Sequence, residues 1–146
     1  MDVHRSIDIA APPERVWPFL VEPDKVMRWF VGLKEFRYLD EGRRGAGTHV
    51  HMEEKAVGPL LKEDFEVTEW LENRRLRFHM TSGSGVKADD QLWTLDLMAD
   101  GCRFTFDEHV ELPYGPLGKV LGAVGQRSLV SHVEEMLTRL KGVAEA

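Results

Sequence analysis

Ile7-Asp8-Ile9-Ala10-Ala11-Pro12-Pro13-Glu14-Arg15-Val16-Trp17 is the stretch that decides the fold. It reads as a strand over residues 3–10 that runs straight into a helix opened by proline, a residue suited to the first helical turn. Val16, Phe19 and Leu20 fall at i, i+3 and i+4 on one apolar face. Pro18 lies inside this helix and should bend or shorten it. Pro23-Asp24 restarts a helix, and Val26, Trp29 and Phe30 repeat the spacing, so two short helices are expected. At the far end Gly115-Pro116-Leu117-Gly118-Lys119-Val120-Leu121-Gly122 opens a helical pattern that runs through about Val143, with an apolar stripe at Leu121, Leu129, Val133, Met136, Leu137 and Leu140. Gly122 and Gly125 weaken it by about 1 kcal/mol each relative to alanine. They also let another group approach the backbone, with close packing favoured over ligand space. Together the two ends outline a curved sheet wrapped around a helix, with a cavity between them.

Between the ends the period changes to two. Strands are expected near 33–40, 47–57, 61–71, 74–82, 89–98 and 102–111, separated by turn signals such as Gly58-Pro59, Glu72-Asn73 and Asp100-Gly101. With the first strand this makes an antiparallel meander of seven. Leu76, Phe78 and Met80 share one face; so do Gln91, Trp93, Leu95 and Leu97; so do Phe104, Phe106, Glu108 and Val110. Arg75, Arg77, His79, Arg103 and Asp107 fall on the opposite, wet face. The fold class is α+β, and residues 1–146 read as a single domain.

At 42% hydrophobic and 30% charged residues, the 146-residue chain is an ordinary folding sequence. Its net charge of -6 opposes nucleic acid or an anionic membrane as a general partner. The pairs Arg43-Arg44 and Arg74-Arg75 read as solvated charge beside turns. No apolar run approaches 18 residues, so no integral membrane association is expected. Cys102, the single cysteine, keeps phase with Phe104 and Phe106 and reads as a buried core residue. No secretion signal is visible, and a reducing cytoplasm fits these features. A monomer or homodimer is expected.

These features in this order resemble the START-related polyketide cyclase superfamily, SRPBCC, whose members share the helix-grip fold of the birch pollen allergen. The resemblance rests on Ala11 to Trp17, on Trp29, and on Phe65-Glu66-Val67-Thr68-Glu69-Trp70. It continues through Asn73 to Phe78, Trp93-Thr94-Leu95 and Asp100 to Phe106, and ends on Gly115-Pro116-Leu117-Gly118 and Leu137 to Lys141. It implies a seven-stranded antiparallel sheet gripping the C-terminal helix around an apolar small molecule. It also implies that relatives divide among cyclases, aromatases, dehydratases, lipid or quinone carriers and chaperone-assisting modules.

Glu108 is the leading candidate for chemistry. A carboxyl on the face of Phe104, Phe106 and Val110 would resist ionisation and serve as acid, base or hydrogen-bond partner. Glu54, in phase with Val50 and Met52, is a second; facing inward, the two could share a cation or one ligand. His132, beside Leu129 and Met136, could reach the cavity. The remaining candidate lining residues are Trp17, Phe30, Phe65, Phe78, Met80, Trp93, Phe104, Phe106, Leu121 and Leu129; Trp29 and Trp70 are further aromatic candidates. Arg37 could enter the mouth of the cavity to meet an anionic group. His49 and His51 share a strand face, but zinc wants three or four ligands and no third is evident, so no metal is expected. Neither a phosphate loop, an H-E-x-x-H motif nor a G-x-S-x-G elbow occurs, and no cofactor is expected.

The expected function is binding, transport or sequestration of a hydrophobic small molecule such as a lipid, isoprenoid or polyketide. The alternatives are an enzyme using Glu108, with His132, as acid or base, and a protein-interaction module with a filled core and an exposed apolar patch.

Overall fold

Seven antiparallel strands and one long helix form the frame of the computed structural model, which describes residues 1–42, 44–55 and 58–146. Arg43 and residues 56–57, where the sequence placed half of a basic pair and the end of a strand, lie outside the described residues. In chain order the elements are β1 (Asp2–Ile9), α1 (Pro13–Val16), α2 (Pro18–Val21), α3 (Pro23–Val26), β2 (Leu33–Tyr38), β3 (His49–Glu54), β4 (Leu61–Leu71), β5 (Arg75–Gly83), β6 (Ala88–Met98), β7 (Gly101–Glu111) and α4 (Gly115–Glu145). The sheet order is β1-β7-β6-β5-β4-β3-β2, so β2 to β7 form a meander and β1 returns to pair with β7. This is the α+β helix-grip architecture.

One correction concerns the proline-rich segment. Pro18 does more than bend the first helix: Pro13, Pro18 and Pro23 each open a separate one-turn helix, so the segment holds three short helices where two are expected. A proline cannot donate to the preceding turn, so Pro18 and Pro23 each end one helical run and start the next. The turns nevertheless press Val16, Phe19, Leu20 and Val26 into the core. Trp29 follows them and donates its indole N–H to the Phe19 carbonyl at 2.7 Å, bracing the segment internally, while its ring packs edge-on against Trp93 and Phe104 of the sheet.

Trp93, Phe65, Phe78, Phe104 and Phe106 on the inner face of the sheet form an aromatic core with Trp29 from the segment after α3, all 2% exposed or less. α4 closes it with Leu129, Val133, Met136, Leu137 and Leu140. The first half of α4 buries little besides Gly118 and Gly122, where the backbone passes close to Leu112 and Met1. Leu97 departs from its expected face: it is 80% exposed, near the end of β6 where the core stops. At the β6–β7 turn Gly101 has φ +146° and a side chain there would strike the Ile9 carbonyl, so glycine lets β1 end against the hairpin.

Cys102 is buried, and burial first, then the nearby Glu14 and Asp8 carboxylates, pushes its thiol up to about 11. Titration of the native protein with a thiol reagent at pH 8 should therefore show no rapid reaction, and full reaction only after denaturation. Fast labelling in the native state would contradict this core assignment.

The outer face holds pairs of histidine and acid. His51 lies 2.6 Å from Asp64 and 2.8 Å from Glu53, and these partners hold its pKa above the ordinary imidazole value, Glu53 most strongly. His49 also contacts Asp40, and His79 contacts Asp90. Arg75 pairs with Glu69 at 3.1 Å, in keeping with solvated charge. Arg37 also points outward, to Glu35 at 3.1 Å, rather than into the cavity.

Candidate functional site: a cavity with a carboxyl cluster

α4 and the sheet diverge toward one end, leaving a cavity of about 440 Å³. That lies within the usual range for small-molecule sites. Phe30, Phe106, Glu108, Leu121, Leu129 and His132 line it, as the sequence suggests. Val133 and Met136 of α4, and Leu61 and Val86 across from them, complete the apolar wall. Gly125 also reaches the cavity, whereas Gly122 serves close packing.

Trp17, Phe65, Phe78, Met80, Trp93 and Phe104 do not line the cavity. All except Met80, which packs at the edge, belong to the solid core. The alternating pattern assigns them to the inner face correctly, but that face is longer than the cavity, and at their end α4 lies directly on the sheet. Trp17 instead meets Trp70 edge-on, with ring centroids 6.0 Å apart. Trp29 is likewise filled in, edge-on to Trp93 at 5.4 Å.

The polar end of the cavity is a cluster of acids. Glu54, Asp89 and Glu108 line it, and Glu63 sits behind them at 1% exposure. One carboxyl oxygen from each of Glu54, Glu63 and Asp89 lies within 4.8 Å of the other two. Register explains the convergence. Glu63 stands opposite Met52 on β3, with Glu54 two residues along that strand; Glu108 stands opposite Gln91 on β6, with Asp89 two residues along. Gly83, opposite Glu63 on β5, puts no side chain in the way. The β5–β6 ladder ends at His79 and Asp90, so Asp89 projects where those two strands part.

Sequence reasoning finds Glu108 and Glu54 but misses Glu63 and Asp89. The signal is present: Glu63 keeps phase with Phe65 and Val67, and Asp89 with Gln91 and Trp93.

Burial dominates the electrostatics. It pushes Glu108 up to about 8, with the charge of Glu54 adding to it. Glu54 rises to about 8 through burial and then Glu63, and Glu63 to about 9 through burial and then Asp89. Asp89 is raised well above the ordinary range by burial and then Glu108. Among the described residues no lysine or arginine lines the cavity to offset these charges. At neutral pH the cluster therefore holds protons and can donate hydrogen bonds. Gln91 stands beside it, its amide nitrogen 3.5 Å from the Asp89 carboxyl and its carbonyl accepting from the Trp93 indole at 3.1 Å.

His132 reaches the cavity from α4. Its Nε2 is buried without a partner, and burial pulls its pKa below the ordinary value. The imidazole is thus neutral at pH 7, and its free nitrogen can accept a proton.

This architecture has known counterparts, and the family model for polyketide cyclase / dehydrase and lipid transport proteins matches residues 1–145. The chain belongs to that family. No curated protein matches it by sequence. Among solved structures, TTHA0849 from Thermus thermophilus superposes with a TM-score of 0.82 at 23% identity, over 99% of this chain and 97% of that one. A START superfamily protein from Mycobacterium smegmatis gives 0.75 at 16% identity, covering 97% and 98% of the two chains. The Zhui aromatase/cyclase from Streptomyces sp. R1128 gives 0.73 at 17%, covering 99% and 93%. At these identities the likenesses establish the fold. Family and fold fit hydrophobic ligand binding or cyclase-type activity. No helix among the described residues is long and apolar enough to cross a membrane.

Proposed function

We propose that the protein binds one largely apolar small molecule, of lipid, isoprenoid or polyketide type, between the sheet and α4. The observation that carries this reading is the cavity itself: about 440 Å³, apolar along α4 and β7, with hydrogen-bonding carboxyls at one end only. Shape and apolar burial supply the affinity, and the carboxyls orient the ligand. The cavity favours this reading over an interaction module, for which a filled core is expected.

Native mass spectrometry of gently purified protein, followed by solvent extraction, tests the reading. Protein with a bound apolar mass is expected, and the Leu129→Trp variant, whose side chain would fill the cavity, should lose it. Failure to recover or load any apolar molecule from a broad panel would sink the proposal.

A second reading is favoured by one specific observation. Glu108 is protonated and His132 neutral at the same pH, and both face one cavity. Opposed shifts of this kind suit an acid–base pair for cyclisation or dehydration. Under this reading Glu108→Gln abolishes turnover of a polyketide-like substrate and leaves its binding largely intact. Unchanged turnover would remove Glu108 from the chemistry.

A further inference from the structure

We propose that the carboxyl cluster makes the cavity selective for an apolar molecule that carries a basic nitrogen, with the ammonium seated among Glu54, Asp89 and Glu108. This rests on the cavity being a ligand site, as argued above, and adds the chemical class of the ligand's polar end.

The argument begins with the balance of donors and acceptors. A protonated carboxyl has two oxygens and one proton, so a cluster of carboxyls has more acceptor sites than protons to fill them. The surrounding protein does little to correct this. Both oxygens of Glu63 are buried and receive no hydrogen bond from any amide, hydroxyl or cationic group; only the carboxyls of Glu54 and Asp89 face them. Glu63 therefore points its unmet acceptors into the cluster from behind. The nearest amide donor, Gln91, stands at 3.5 Å from Asp89.

A ligand that completes this site must bring donors and positive charge. An ammonium brings three N–H donors and no acceptor. A carbonyl or carboxylate brings only acceptors, and a carboxylate adds like charge. An alcohol offers a single donor. The geometry next to the cluster sets the remainder of the ligand: Phe106, Val110, Leu129 and Met136 form an apolar wall continuous with the acids, so the nitrogen must end a hydrophobic body.

Binding then moves protons in a defined direction. The groups that face the cluster are Glu54 on β3, Glu63 on β4, Asp89 on β6, Glu108 on β7, the N-terminal ammonium of Met1, and His132 on α4 across the cavity. Gly83 of β5 contributes none. The Met1 ammonium is engaged by the Val110 carbonyl at 2.6 Å and acts only weakly on Glu108. A buried ammonium stabilises one carboxylate beside it, so one carboxyl releases its proton to solvent while its neighbours keep theirs and donate to it.

Isothermal titration calorimetry with decylamine, 1-decanol and decanoic acid at pH 7, each in two buffers of different ionisation enthalpy, tests this. Decylamine should bind at least tenfold more tightly than decanol and release close to one proton; decanoate should bind weakest. The Asp89→Asn/Glu108→Gln variant should lose both the amine preference and the proton release, binding decylamine no more tightly than decanol. Decanol binding as tightly as decylamine, or amine binding without proton release, overturns the inference and leaves the apolar-ligand reading standing. Calcium, magnesium or manganese binding that releases protons and excludes decylamine assigns the cluster to a metal and overturns it as well. If none of the three chains binds, and Leu129→Trp behaves as wild type, both readings fall together. The proton count is taken on the wild-type protein, so it holds even if the double variant does not fold.

Discussion

Trp93→Ala should reduce the stability of the protein by about 3–5 kcal/mol, the range for removing a large aromatic from a packed core. For a domain of this size that corresponds to a melting temperature lower by about 10 °C. Trp93 is wholly buried, and its ring lies 4.5 Å from Phe78, 5.4 Å from Trp29 and 6.1 Å from Phe106, centroid to centroid. It therefore joins the segment after the proline turns to three adjacent strands. The truncation would leave a cavity bounded by rings that cannot collapse into it, and would also remove the indole donor to Gln91. Trp93→Phe retains most of the packing and should cost less than half as much. Urea unfolding of both variants measures the difference. A loss below about 1 kcal/mol for Trp93→Ala would show that this aromatic group is not the centre of the core.

The core was legible because it follows the simplest rule: side chains two apart on a strand face the same way. Phe104 and Phe106, and Leu76 and Phe78, declare the inner face without help from the rest of the molecule. The same rule carries Glu108 inward, and applied to β4 and β6 it would carry Glu63 and Asp89 inward too. What resists that step is the ordinary expectation that acids face water. In β4 every second residue is inward, yet acidic residues stand on both faces, as Glu63 and Asp64 show, so charge conceals the phase. The position of the cavity is legible only in three dimensions. Trp93 and Glu108 share an inner face, but whether α4 touches that face or leaves space depends on where the helix diverges from the sheet. Local sequence does not encode that divergence, although the glycines of α4 hint at it. The split at Pro18 was half legible: proline announces an interruption, but whether a helix bends or restarts depends on how Trp17 and Phe19 are packed.

Raising the pH from 5 to 9 should destabilise the ligand-free protein strongly, and the buried acids are the reason. In the unfolded chain Glu54, Glu63, Asp89 and Glu108 lose their protons in the ordinary carboxyl range, near pH 4 to 5. In the folded protein burial holds Glu54 and Glu108 at about 8 and Glu63 at about 9, with Asp89 also raised. Between these ranges the native state binds more protons than the unfolded state, so stability falls as pH rises. The favourable contribution is complete below the unfolded values and is lost as pH climbs through the native ones. Each retained proton gives a slope of about 1.4 kcal/mol per pH unit, so even one such group outweighs the exposed ion pairs of the outer face. Those pairs work partly in the opposite sense at acid pH: Asp2 and Asp40 are held low by histidine partners and lose their small contribution only when protonated. The stability maximum should therefore lie on the mildly acidic side of neutrality. Urea unfolding at pH 5, 7 and 9 reads this directly. Glu63→Gln preserves shape, removes one titrating group and brings amide donors toward the carboxyls of Glu54 and Asp89. It should change little at pH 5 and gain at least about 1 kcal/mol over wild type at pH 9. Wild-type stability that is flat from pH 5 to 9, with no gain from Glu63→Gln, would mean that the cluster already carries its charge in the native state. The acids would then be balanced by a counter-charge other than the Met1 ammonium, which acts only weakly on Glu108.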